Sequence, residues 1–115
     1  YGDWSLGFFA SDGFVDESEP GHTHNDKLSF TLGFKGVPFF VDPGSGVYTR
    51  DPKVRNILRG TAQHSTLRFG NLEQNEFRGL FGYTRCGGAS LDVAEADGTV
   101  VFRGATDCWD FRAFL

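Results

Sequence analysis

Residues 28–42 read Leu28-Ser29-Phe30-Thr31-Leu32-Gly33-Phe34-Lys35-Gly36-Val37-Pro38-Phe39-Phe40-Val41-Asp42. Leu28, Phe30, Leu32 and Phe34 alternate with Ser29, Thr31 and Gly33, the period of two that marks a half-buried strand. Val37 to Asp42 follows directly after Lys35-Gly36, so the two runs are expected to form a hairpin. Working outward, Trp4 to Ala10 is an earlier apolar run and Thr66 to Gly70 a short later one. Leu91 to Glu95 and Thr99 to Arg103 flank Ala96-Asp97-Gly98, a turn whose Asp and Gly tolerate positive φ. Trp109, Phe111 and Ala113 alternate with Asp110 and Arg112 in a last strand. One short helix is expected: Asp51 caps it, Pro52 takes its first position, and Gly60 ends it after Arg59. About seven or eight strands with one short helix predict an all-β fold, an antiparallel β-sandwich.

The composition agrees. A chain of 115 residues has room for a single domain, taken as residues 1–115. With 39% hydrophobic and 23% charged residues it is expected to fold as a globule. Its 13 Phe and 16 Gly, with no Met, suit aromatic strands joined by glycine turns. No apolar run approaches the roughly 20 residues of a membrane span. Tyr1-Gly2-Asp3-Trp4 is not the start of a signal peptide, and there is no initiator Met. The expectation is a piece of something longer.

The net charge of -4 argues against general nucleic-acid binding. Its distribution says more. Residues 1–26 carry Asp3, Asp12, Asp16, Glu17, Glu19 and Asp26 and no Lys or Arg, whereas residues 50–68 carry Arg50, Lys53, Arg55, Arg59 and Arg68 against Asp51 alone. The basic stretch reads either as the seat of a local anionic ligand or as a solvated face. Cys86 and Cys108 flank the Ala96-Asp97-Gly98 hairpin and read as one disulfide or as two buried thiols.

The histidines concentrate the chemistry. His22 and His24 lie in Gly21-His22-Thr23-His24-Asn25-Asp26, and His64 lies in Thr61-Ala62-Gln63-His64-Ser65-Thr66. Asp26 and Asp42 are the nearby carboxylates. Two imidazoles and a carboxylate make a common zinc set with a fourth position for water. His22 and His24, two apart, would point to one side of a strand and serve one site. Two metal arrangements compete. In one, His24, Asp42 and His64 bind zinc. In the other, His24, Asp26 and His64 form a facial triad for non-haem iron, with Arg68 or Arg78 receiving a co-substrate carboxylate. The plainer alternative is a set of turn histidines satisfied by backbone bonds.

A wider string separates these readings. Gly21-His22-Thr23-His24-Asn25-Asp26-Lys27-Leu28-Ser29-Phe30, then Val41-Asp42-Pro43-Gly44 and Tyr48, then Arg55-Asn56, Arg59 and Thr61-Ala62-Gln63-His64-Ser65-Thr66 closely resemble the heparinase II/III-like family of bacterial polysaccharide lyases. The resemblance covers residues 21–75, with Trp4 to Phe9 and Gln74-Asn75 fitting the flanks more loosely. It implies a C-terminal β-sandwich, with a helical toroid N-terminal to it and an anionic polysaccharide bound in the cleft between them. It also implies that His24, Asp42 and His64 hold a structural zinc, and that His22, and with it Tyr48, serves catalysis. His64-Ser65-Thr66 departs from the family's usual His-Asn-Thr, which keeps the ligand and alters a neighbouring hydrogen bond. A periplasmic or secreted location is a further implication of the family.

The chemistry suits these residue types. Elimination from a uronate needs a base near its working pKa and donors or cations to meet the developing charge. Arg50, Arg55 and Arg59 offer forked donors to an anionic sugar, or else tie loops to carbonyls. Asn25 and Asp26 are placed to orient the imidazoles around the metal. The rival readings are a non-catalytic glycan-binding or structural module that keeps the zinc, and the iron oxygenase.

Overall fold

A computed structural model describes residues 2–12 and 22–109. Most of its regular structure is antiparallel strand, with one short helix. The run read from residues 28–42 supplies two strands of a three-stranded sheet, β1 (Trp4–Phe8), β2 (Phe30–Phe34) and β3 (Val37–Phe40), in that order, while Leu28, expected in the strand, turns ahead of it at positive φ. Trp4 pairs with Phe34, Leu6 with Leu32 and Phe8 with Phe30, so one face of the sheet collects the large side chains. Lys35 and Gly36 both take positive φ, which is the geometry of a two-residue hairpin turn. Pro38 lies in β3, an edge strand, where a missing N–H costs the ladder nothing. The register shifts between Leu32 and Gly33.

A second hairpin, β6 (Ala89–Ala96) and β7 (Thr99–Thr106), turns at Asp97-Gly98, again with both φ positive. Both strands run longer than the sequence suggested. The hairpin meets the sheet through Phe102, whose ring lies 4.6 Å from that of Phe8. Gly104 lets it approach further: a Cβ there would stand 2.7 Å from Leu28 Cδ2. Between the hairpins in the chain lie a short ribbon, β4 (Phe77–Arg78) with β5 (Gly82–Tyr83), and helix α1 (Pro52–Leu58), followed by a 3-10 turn over Thr61–Gln63. These two-residue strands carry no periodicity to read. Thr66 to Gly70 is not a strand. Thr66 N bonds back to His64 O at 2.9 Å and its hydroxyl goes to Lys27 O at 2.5 Å, while Ser65 O, just before this segment, accepts from Phe30 N of β2. Of the expected last strand, Trp109 is outside regular structure and the residues beyond it lie outside those described.

The interior is polar. Among the described residues only Tyr83, Cys86 and Cys108 are buried hydrophobics, whereas Asn25, Lys27, Arg55, Arg59, Thr61 and Gln74 are each at most 1% exposed. The two cysteines are thiols without a bridge between them. Burial of polar side chains at this level is tolerable only if they find partners, and each of these six makes at least one hydrogen bond. Asn25 Nδ2 donates to Glu73 Oε2 and to Asn75 O, each at 2.8 Å. Gln74 accepts from Lys27 N at 2.9 Å and donates to Lys27 O at 3.0 Å, as a neighbouring strand would. Glu73 also takes Thr61 N and Thr61 Oγ1 at 2.7 and 2.8 Å. Burial pushes the Glu73 carboxyl up, but these donors outweigh it and hold its pKa below the ordinary range. The histidine loop, the turn after α1 and residues 73–75 are thereby fastened together.

Candidate active site and metal centre

Helix α1 sets the scaffold of the site. Asp51 Oδ1 accepts from Lys53 N and Val54 N, both at 3.1 Å, and Pro52 occupies the first turn, as the sequence predicts. One helical turn separates Arg55 from Arg59, so both enter the same side. Arg55 Nε donates to Leu80 O at 3.1 Å. Arg59 donates to Leu80 O at 2.6 Å, Gly82 O at 3.2 Å and Gly79 O at 3.3 Å. Arg59 stacks over Phe77 and Tyr83, with Cζ 4.0 and 5.0 Å from their centroids. Burial lowers the Arg59 pKa and pushes that of Tyr83 up to about 12, while the Tyr83 hydroxyl donates to Thr23 O at 2.6 Å. At 1% exposure, neither arginine offers its fork to a sugar. Their expected role as substrate ligands gives way to the structural one, because the 79–82 carbonyls already use them. Arg50 is exposed.

The C-terminal end of α1 then fixes the histidine loop: Asn25 N donates to Arg59 O at 2.8 Å, and Ser29 N to Asp26 O at 2.9 Å. Residues 22–29 therefore turn rather than extend, and His22 and His24 part company. His24 is buried, and its ring lies 5.3 Å from that of His64. His64 Nδ1 donates to Asp42 Oδ2 at 2.7 Å, while Asp42 Oδ1 accepts Gly44 N at 2.8 Å. His24 Nε2 stands 3.2 Å from Ser45 Oγ. Asp26 joins the same cluster: ligand atoms of His24, Asp26 and His64 all lie within 4.8 Å of one another. Both carboxylates weighed from the sequence thus reach the imidazoles. Asn25 does not. Its side chain points to Glu73 and Asn75 instead of orienting a ring.

This donor set fits a divalent cation. His64 Nε2 and Asp26 Oδ1 are buried without a hydrogen-bond partner, an arrangement that is costly unless something positive meets them. Burial, reinforced by His64, lowers the His24 pKa, which keeps its imidazole neutral and able to ligate. Burial raises the pKa of Asp26. Burial also acts upward on Asp42, but the Gly44 N–H and His64 outweigh it and hold its carboxyl below the ordinary range. Two imidazoles with carboxylates suit zinc.

His22 faces elsewhere. The Tyr48 hydroxyl is within hydrogen-bonding reach of both its ring nitrogens, at 3.1 Å from Nε2, and the rings are 5.1 Å apart. Both residues are exposed. A family model described as heparinase II/III-like, C-terminal, matches residues 5–114, nearly the whole chain. The chain belongs to the heparinase II/III-like family. No curated protein and no solved structure matches it. On this heparinase-like sandwich of the polysaccharide lyase family, one loop carries His24 into the histidine–carboxylate cluster and, two residues earlier, His22 to Tyr48. The pair has a further neighbour. Phe81 contacts His22 edge-on at 6.0 Å and Tyr48 at 6.2 Å, with Arg55 Cζ 4.6 Å from its ring. Nothing in the sequence around Gly79-Leu80-Phe81-Gly82 marks it.

Proposed function

We propose that this chain supplies the sandwich side of a polysaccharide lyase site that cleaves uronate-containing anionic chains by β-elimination. The observation that carries this reading is the His22–Tyr48 pair, an exposed imidazole and phenol in mutual hydrogen-bonding reach, in a chain of the heparinase II/III-like family. Elimination removes the proton at C5, forms the C4–C5 double bond as the C4–O bond breaks, and returns a proton to the leaving oxygen. One group takes a proton and another gives one, and a hydrogen-bonded imidazole and phenol offer both capacities at adjacent atoms. Arg50, the exposed arginine two residues beyond Tyr48, is the cation we assign to the uronate carboxylate.

His24, Asp42 and His64 are proposed to hold zinc, with Asp26 beside them. Bound there, the metal would supply structure, tying the histidine loop to β3 and to the turn after α1. The chain's own residues then carry the reaction: the loop aims His22, and Tyr48 meets it from residues 43–50. The full-length protein, including the helical toroid that the resemblance implies, is the form to assay on heparan-type, alginate and bacterial capsule polymers. Release of unsaturated uronate ends is expected. Tyr48→Phe and His22→Ala are each expected to lower kcat/KM by roughly 10²–10⁴-fold. A folded, full-length protein that yields no unsaturated product on any uronate polymer would leave the glycan-binding module as the better account.

A further inference from the structure

An exposed imidazole and an exposed phenol joined by one hydrogen bond have many other arrangements open to them, since water competes for both groups. Here a third ring closes the set. Phe81 is half-buried and meets both: the His22–Tyr48, His22–Phe81 and Tyr48–Phe81 centroids are 5.1, 6.0 and 6.2 Å apart. Behind the triangle stands the Arg55 guanidinium, 4.6 Å from the Phe81 ring and 5.2 Å from the Tyr48 ring. Arg55 is itself fixed, being buried and bonded to Leu80 O. Arg59 grips the same turn at Gly79, Leu80 and Gly82, so Phe81 is carried on backbone held on both sides. A cation against the face of an aromatic ring is an attractive and directional contact. Phe81 has no proton to give or take. What it can supply beside an acid–base pair is placement.

We infer that Phe81 is a positioning residue of this site, a wedge mounted on Arg55 that keeps the His22 imidazole and the Tyr48 phenol within reach of each other. The inference rests on the elimination chemistry proposed above only for its kinetic consequence. A displacement of about 1 Å in a reacting group can cost on the order of 10²-fold in rate. In the full-length protein, Phe81→Leu, which keeps apolar bulk, is expected to lower kcat by roughly 10–100-fold while KM stays within about twofold. Phe81→Tyr, which restores the ring, is expected to return kcat to within a few-fold, and zinc content is expected to match wild type in both.

A second readout needs no substrate: the rate at which diethyl pyrocarbonate modifies His22, followed by peptide mass. It is expected to rise several-fold in Phe81→Leu and to stay at the wild-type value in Phe81→Tyr. Equal modification rates in all three proteins would overturn the inference. So would a Phe81→Leu effect confined to KM, which would make the ring a wall for sugar, or a Phe81→Tyr protein no better than Phe81→Leu. An inactive wild-type protein whose Phe81→Leu variant still shows the faster His22 modification would break the lyase proposal and leave the wedge standing.

Discussion

The interior and the sheet face of this domain reverse the usual arrangement. Inside, the largest fully buried side chains among the described residues are Arg55, Arg59, Lys27, Gln74, Asn25 and Thr61. Outside, Trp4, Leu6, Val37, Phe39 and Phe40 on the three-stranded sheet are 45–60% exposed. The sheet is built by alternation and hairpin turns, and its aromatic rings touch one another, Trp4 with Phe34 at 4.6 Å and Phe30 with Phe40 at 5.0 Å. The interior is built by hydrogen bonds between segments about 50 residues apart, as from Asn25 to Asn75. The two regions have different tasks. Apolar packing is adaptable and forms the layer. Hydrogen bonds fix direction as well as distance, which a loop presenting imidazoles requires.

The difference can be broken on purpose, and the interior is expected to fail first. Asn25→Ala takes from Asn75 both of its bonds to Asn25 and from Glu73 one of three donors, at roughly 1–3 kcal/mol for each buried group left unsatisfied. It should give the largest loss of stability, measured by urea or thermal unfolding, and carry the proposed metal site down with it. Next come the two carboxylates. Asp42→Ala should weaken zinc binding more than Asp26→Ala, with the lesser effect on the order of 10–100-fold in affinity, read by competition with a zinc indicator. The opposite order would make Asp26 the ligand and Asp42 the residue that orients His64.

Glu73 sharpens the comparison through pH. Its folded-state pKa is depressed, so its contribution is fully present above the unfolded value, about 4.3, and is lost as pH falls through the lower folded value. The wild-type protein should therefore lose stability on acidification through that window. Glu73→Gln, less stable near neutrality, should show a flatter acid limb. The smallest effect belongs to the sheet face: Phe39→Ser, at a side chain 60% exposed, should change unfolding free energy by no more than about 0.5 kcal/mol.

What the sequence made legible follows the same division. Period-two alternation in Phe30–Phe34, the Lys35-Gly36 and Asp97-Gly98 turns, and the Asp51-Pro52 start of α1 are local signals, and each names its own element, though the alternation reads back to Leu28, where the chain in fact turns. The family could be read from spaced motifs, and with it the sandwich. The interior could not. The pairing of Gln74 with Lys27, or of Glu73 with Asn25 and Thr61, depends on distant segments meeting, and no local pattern records it. The same holds for Arg55 and Arg59, which look like surface cations until the 79–82 carbonyls stand opposite them. Spacing alone puts His22 and His24 on one side of a strand; the bond from Asn25 N to Arg59 O turns the chain and sends them to different partners.

The polar interior holds two imidazoles and a carboxylate together in the arrangement proposed as a metal site. Elemental mass spectrometry of the purified protein, beside His64→Ala, tests that directly. The account predicts about one zinc per chain in the wild type and loss of the metal in the variant. A folded wild-type protein without metal, or a His64→Ala protein that keeps its full zinc, would contradict it.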